Sequence, residues 1–291
     1  MQFNRIRHTI PRLALENLYT SMIRPVLDYA DILYNSCTLS IGRTIEGIQR
    51  RAALICTGAY KHTEHVKLLH ELGWPDLKSR RRYHILCTYF KLIKSQAPKY
   101  VTDLLPQPIA NLTNYNLRTQ TNLRIPRMKL QSSKNSFIPF ATGLWNNLPL
   151  GTRQTQSLNI FKNKIIPKLT ISNYNRLCSG YYGRLLTRLR LGLSGLNAHR
   201  FKYNLHNTPT CPHCHLVPED NYHYFIQCPT HRLARQHFFN LLSSELDLDT
   251  TNHKYLLNTI LYGNINYLSQ PSLLKFTYQY IELTGRFKQQ T

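Results

Sequence analysis

Acidic residues are scarce in this chain. Its 291 residues include 14 Asp and Glu against 37 Lys and Arg, a formal net charge of +23. No carboxylate occurs between Asp103 and Glu219, although Arg and Lys recur throughout that stretch. Such a segment repels itself unless a polyanion neutralises it, so the composition points to phosphate-rich partners. The chain also has no Asp-Asp pair and no acidic cluster of the kind that holds two metal ions around a reacting phosphate. Asp247 and Asp249, on a leucine-rich stretch, read as surface residues. No side chain is therefore assigned a catalytic role, and this polypeptide on its own is not expected to carry out two-metal phosphoryl chemistry; whether it is an enzyme of another kind stays open.

Other absences narrow the class further. The cysteines number seven, an odd count that argues against a disulfide framework. Cys37, Cys56, Cys87 and Cys178 are scattered among apolar residues and suit a reducing, intracellular compartment, nuclear or cytoplasmic. The N-terminal Met-Gln-Phe-Asn-Arg-Ile-Arg-His has no apolar h-region, and no uninterrupted apolar run reaches membrane-spanning length, so no membrane partner is expected. Internal repeats and low-complexity segments are missing too. With 42% hydrophobic and 11% aromatic residues, the chain can still build a core.

What is present reads mainly as helix. Leu13, Leu15, Leu18, Met22, Ile23, Val26, Leu27, Ala30 and Leu33 recur at mostly helical spacing, with Pro11 suited to a first turn and Pro25 predicting a kink or break. Further helices are expected over 41–56, with Gly58 as C-cap, and over 66–72, 77–95, 137–148, 158–166, 181–201, 231–246, 255–261 and 273–287. Ser157 is a candidate N-cap and Trp145 a core aromatic. Alternation over 123–130 predicts a short strand or hairpin, weakened by Pro126. The expected organisation is a helical region at 1–105, a basic Pro/Asn-rich connecting region with short strands and helices at 106–180, and a C-terminal region at 181–291.

Cys211, Cys214, His223 and Cys228 stand in a C-x2-C-x8-H-x4-C run. Three thiolates and one imidazole can close a tetrahedral shell around a structural Zn2+, with no open position for substrate. Asp220 or Asn221 is expected to cap a helix carrying His223. His213, His215 and His231 are nearby competitors, ranked below His223. In so small a module, metal binding is expected to supply much of the folding free energy.

The partner class expected from charge is RNA, DNA or both. Arg50, Arg51, Arg80, Arg81, Arg82, Arg184, Arg188 and Arg190 are the candidate phosphate contacts. Tyr222, Tyr224 and Phe225 flank His223 and are candidate stacking surfaces for unpaired bases, with packing around the metal as the competing role.

Several stretches, taken in order, carry a family resemblance. They are Leu18-Tyr19-Thr20-Ser21-Met22-Ile23-Arg24-Pro25-Val26-Leu27-Asp28-Tyr29-Ala30-Asp31, Ile48-Gln49-Arg50-Arg51-Ala52-Ala53, Leu72-Gly73-Trp74, Arg80-Arg81-Arg82, Leu144-Trp145-Asn146-Asn147-Leu148-Pro149 and Arg188-Leu189-Arg190-Leu191-Gly192-Leu193-Ser194, followed by the Cys/His run. Together they resemble the C-terminal part of non-LTR (LINE-type) retrotransposon reverse transcriptases, over nearly the whole chain. The resemblance implies that 1–105 is a helical thumb, followed by a basic linker and a CCHC zinc module that binds nucleic acid. It also implies the rest of a retrotransposon polyprotein as a partner. The family's paired palm carboxylates are absent, and Tyr29-Ala30-Asp31-Ile32 is a decoy for that turn. The reading is thus a nucleic-acid-binding C-terminal fragment without the polymerase site. Two alternatives stay open: the tail of an active RNA-directed DNA polymerase, and a zinc-dependent protein-interaction module or decayed element product.

Overall fold

The computed structural model describes residues 10–112, 120–166 and 172–288. The N-terminal octapeptide considered above lies outside them, as do 113–119 and 167–171 of the connecting region. The fold is mainly α, 65% helical with almost no strand. None of its described helices is long and apolar enough to cross a membrane.

Helix α1 (Arg12–Leu18) runs through a π turn at Tyr19–Ile23 into α2 (Arg24–Asp28). Pro25 is the cause of the change of register, because it has no N–H to continue the ladder. Helix α3 (Leu39–Thr57) stops at Gly58, whose φ of +64° is left-handed. Helix α4 (His65–Leu72) ends at Gly73, where the Trp74 N–H returns to the Leu69 carbonyl at 2.9 Å. Helix α5 (Leu77–Ile93) starts on Asp76, which accepts from the Ser79 N–H at 2.8 Å. Helices α6 (Phe137–Asn146) and α7 (Leu158–Ile165) follow. Ser157 takes the N-cap position of α7 without a side-chain bond. Then come α8 (Asn173–Leu177), α9 (Gly180–Arg190), α10 (Asn197–Lys202), α11 (Arg232–Leu246), α12 (His253–Tyr262) and α13 (Gln270–Thr284).

Two expectations change. The single helix expected over 181–201 is two, α9 and α10, because Gly192 at φ +70° lets the Leu193 N–H fold back onto the Arg188 carbonyl at 3.2 Å. The hairpin expected over 123–130 does not form. Extended pairing among the described residues is limited to isolated bridges, Pro108 with Leu123 and Thr210 with Pro218. Asn146 takes both backbone groups of Leu123, its Oδ1 accepting at 3.0 Å and its Nδ2 donating at 2.8 Å, so a side chain replaces a partner strand there.

The chain divides into two compact units that do not follow the stretches 1–105, 106–180 and 181–291. One comprises Met1–Thr20, Arg50–Trp74 and Thr170–Thr291; the other comprises Ser21–Gln49 and Pro75–Leu169. In the latter, Ile85, Tyr89 and Phe90 of α5 pack on Ala141 and Trp145 of α6 and Phe161 of α7. Phe90 stacks on Phe161 with centroids 4.5 Å apart, and the Tyr89 hydroxyl meets Thr142 Oγ1 at 2.7 Å. Trp145 is buried in this core, as expected.

The other unit has a core of Leu185, Leu186 and Leu189 from α9 with Tyr224, Phe225, Phe238, Ile260, Leu273 and Tyr280. Beside it sits a buried carboxylate, Glu71. Its Oε1 accepts from Arg12 at 2.8 Å and from Arg190 at 2.7 Å, and its Oε2 accepts from Asn175 at 3.2 Å. Arg12 also donates to Glu16 at 2.8 Å, and Arg190 to the Leu261 carbonyl at 3.0 Å. Groups remote in sequence are thereby fixed around one charge. Burial alone would raise the Glu71 carboxyl, but Arg190 and Arg12 overcome it and hold it below the usual range.

Candidate metal centre

Residues 209–228 form a tight knuckle and one helical turn. The Cys211 N–H donates to the Val217 carbonyl at 2.9 Å and the Glu219 N–H to Pro209 at 2.8 Å. His215 closes the tip in a left-handed conformation, φ +57°, its N–H on the Cys211 carbonyl at 3.0 Å. The Asp220 carboxylate accepts from the His223 N–H at 2.7 Å, the expected cap. The turn it starts is π-type over His223–Gln227, and the Cys228 N–H donates to the His223 carbonyl at 2.8 Å. A π turn brings residues five apart into line, and His223 and Cys228 are five apart.

The consequence is a convergence of ligand atoms. Cys211 Sγ lies 3.9 Å from Cys228 Sγ, and Cys214 Sγ lies 3.3 Å from His223 Nε2. One ligand atom from each of these four residues lies within 4.8 Å of all the others, so the group can hold a metal ion. Cys211, His223 and Cys228 are buried and Cys214 is half-buried. Burial lowers the His223 pKa and favours the neutral ring that a metal needs. Burial also pushes the Cys211 thiol up to about 11, a cost that direct coordination of a divalent cation reverses.

The other histidines fall outside this group. His213 and His231 face each other edge-on with centroids 5.1 Å apart, and burial with the His213 charge brings His231 down to about 4. A second gathering, Asp28, Asp31 and His84, is satisfied internally: Arg80 pairs with Asp28 at 2.5 Å, and His84 Nδ1 meets Asp31 at 2.7 Å. Asp31, in the decoy tetrapeptide, is buried in that pairing.

The knuckle is not an independent module. Tyr224 and Phe225 are fully buried in the core with Phe238 and Tyr280. They are therefore not stacking surfaces; packing is their role. Tyr222, half-buried, packs against the same core. Glu219, buried, takes a bidentate pair from Arg286 at 2.6 and 2.7 Å, and Arg235 donates to the Cys228 carbonyl at 2.8 Å. Helices α11 and α13 thus hold the ligand frame in addition to any metal.

The candidate arginines separate by environment. Arg190 is buried on Glu71, and Arg81 is buried with its guanidinium 4.7 Å from the Tyr34 ring centroid, so neither faces phosphate. Arg80 is committed to Asp28. Arg51 and Arg82 are exposed. Arg50, Arg184 and Arg188, from two distant parts of the sequence, meet around the loop 58–63. Arg50 donates to the Lys61 and Thr63 carbonyls at 2.6 and 3.1 Å. Arg188 donates to the Gly58 carbonyl at 2.7 Å and lies 4.3 Å from the Tyr60 ring centroid. The Arg184 stem packs so closely on Gly58 that a Cβ there would come within 2.4 Å of it. Lys61, exposed at the tip beside the exposed His62, adds to this basic surface and carries no signal in the sequence beyond its charge. Compared with protein-family models, curated proteins and solved structures, the chain matches none.

Proposed function

We propose that this chain is a nucleic-acid-binding segment of the non-LTR retrotransposon reverse-transcriptase type, pinned by a structural zinc and without polymerase carboxylates of its own. The observation that carries the reading is the gathering of Arg50, Arg184 and Arg188 with Lys61 around one loop, with Arg51 exposed on the same helix as Arg50. Charges of one sign collect on a surface against their own repulsion, and phosphate relieves it.

Zinc suits the Cys/His group. A tetrahedral ion with bonds of about 2.3 Å to sulfur and about 2.0 Å to nitrogen sets S···S edges near 3.8 Å and S···N edges near 3.5 Å. The observed 3.9 and 3.3 Å are close to those edges. Cys211, Cys214, His223 and Cys228 would be the ligands, leaving no open position, so the ion's contribution is structural.

The test is binding of zinc-loaded protein to labelled single-stranded RNA and DNA over a salt series. Affinity should fall steeply, with a log–log slope of about −0.7 for each phosphate neutralised. Binding that ignores salt, or no binding in dilute buffer by protein with one zinc per chain, would refute the reading.

A further inference from the structure

The loop that gathers the arginines also presents an aromatic ring. Tyr60 is 39% exposed. One face of it is taken by the Arg188 guanidinium, 4.3 Å from the centroid, whose Nη1 also reaches the Tyr60 hydroxyl at 3.4 Å. The ring's exposed surface therefore lies away from that cation. The loop is held from both ends: Arg188 and Arg50 bond its carbonyls, and the Thr63 N–H closes a turn on the Tyr60 carbonyl at 3.0 Å. An aromatic ring fixed in advance loses little freedom when a second flat group stacks on it.

We infer that Tyr60 is a stacking platform for one unpaired nucleobase of a single-stranded nucleic acid, with Arg51 and Lys61 serving nearby phosphates. This rests on the nucleic-acid reading above and adds to it a site for the base. Stacking tolerates any base, because each has a π face, so no sequence preference is expected from this contact. Arg188, committed to Gly58 and to the ring, acts as a positioning residue rather than a phosphate contact.

The test compares two probes on zinc-loaded protein: a short oligothymidylate and an abasic oligomer of equal length, which keeps the phosphates and lacks the bases. Wild type should prefer the first by about 5- to 150-fold, the range expected for one base stacked on an aromatic ring. Tyr60→Leu should lose that preference while its salt slope stays unchanged, and Tyr60→Phe should keep it. Arg51→Gln should instead reduce the slope on both probes. If Tyr60→Leu folds poorly, a photoreactive 5-bromouracil oligomer on wild type should crosslink to the peptide carrying Tyr60. Equal wild-type affinity for both probes, an unaltered preference in Tyr60→Leu, or crosslinks confined to other peptides would overturn the stacking site while leaving salt-dependent binding intact. Failure of wild type to bind either probe in dilute buffer would overturn the nucleic-acid reading itself.

Discussion

Glu71 offers the sharpest test of how the first unit is held together. Replacing it with Gln keeps the shape and removes the charge. Arg190, only 1% exposed at its side chain, would then be left in a dry site without an anion, and Arg12, 4% exposed, would keep Glu16 alone. Removing one partner of a buried pair costs about 3–5 kcal/mol, and here one carboxylate serves two cations. Each kcal/mol lowers the melting temperature by roughly 2–4 °C in a domain of 150–250 residues, so a fall of roughly 6–20 °C is expected. Thermal melts of wild type and Glu71→Gln followed by circular dichroism measure it. The double replacement Glu71→Leu, Arg190→Met, which leaves Arg12 paired with Glu16, should recover much of the loss, since an apolar substitute avoids burying charge. A single variant that melts within a degree or two of wild type would show that Arg12 and Arg190 reach solvent and that the buried network is not the fastening described.

The same carboxylate has a pH signature. Its folded pKa lies below the unfolded value of about 4.3, so its stabilisation is complete above that pH and is lost as pH falls through the folded value; acid titration of stability should be flatter in Glu71→Gln. Trp145→Ala should cost about 3–5 kcal/mol by opening a cavity beside Phe90 and Phe161, read by urea denaturation, and a loss under 1 kcal/mol would contradict the packing. Gly58→Ala should both strain a left-handed residue and push Arg184 aside, lowering the melting temperature and nucleic-acid affinity together; an unchanged affinity would detach loop 58–63 from binding. Stripping metal with a chelator should release one zinc per chain yet leave most helical ellipticity, because Tyr224 and Phe225 stay tied to α11 and α13; collapse of the helices would show that the metal alone holds that region.

Local chemistry made much of this legible. The Gly58 C-cap, the Asp220 cap and the change of register at Pro25 are set by a few neighbouring atoms, so spacing and residue type suffice to place them. The Cys/His group was legible for the same reason: its ligands fall within one short segment, and a knuckle and a π turn are enough to bring them together. The apolar spacing of Met22, Val26 and Leu33 marked helical structure but not what covers it; these side chains are 65%, 72% and 79% exposed. The strand expected at 123–130 is reduced to a single bridge with Pro108, and Asn146 takes the remaining edge of Leu123 from a helix.

The helical class, the positive charge and the Cys/His group that could hold a metal ion follow from composition or from residues close along the chain. Which arginines face outward was decided only by the tertiary structure. Arg188 and Arg190 stand two residues apart on one helix, yet one caps an exposed ring beside Gly58 and the other is buried on Glu71. A guanidinium's fate depends on whether a carboxylate from a remote segment reaches it. That is a matter of packing between segments more than a hundred residues apart in the case of Arg190 and Glu71, which no local pattern encodes.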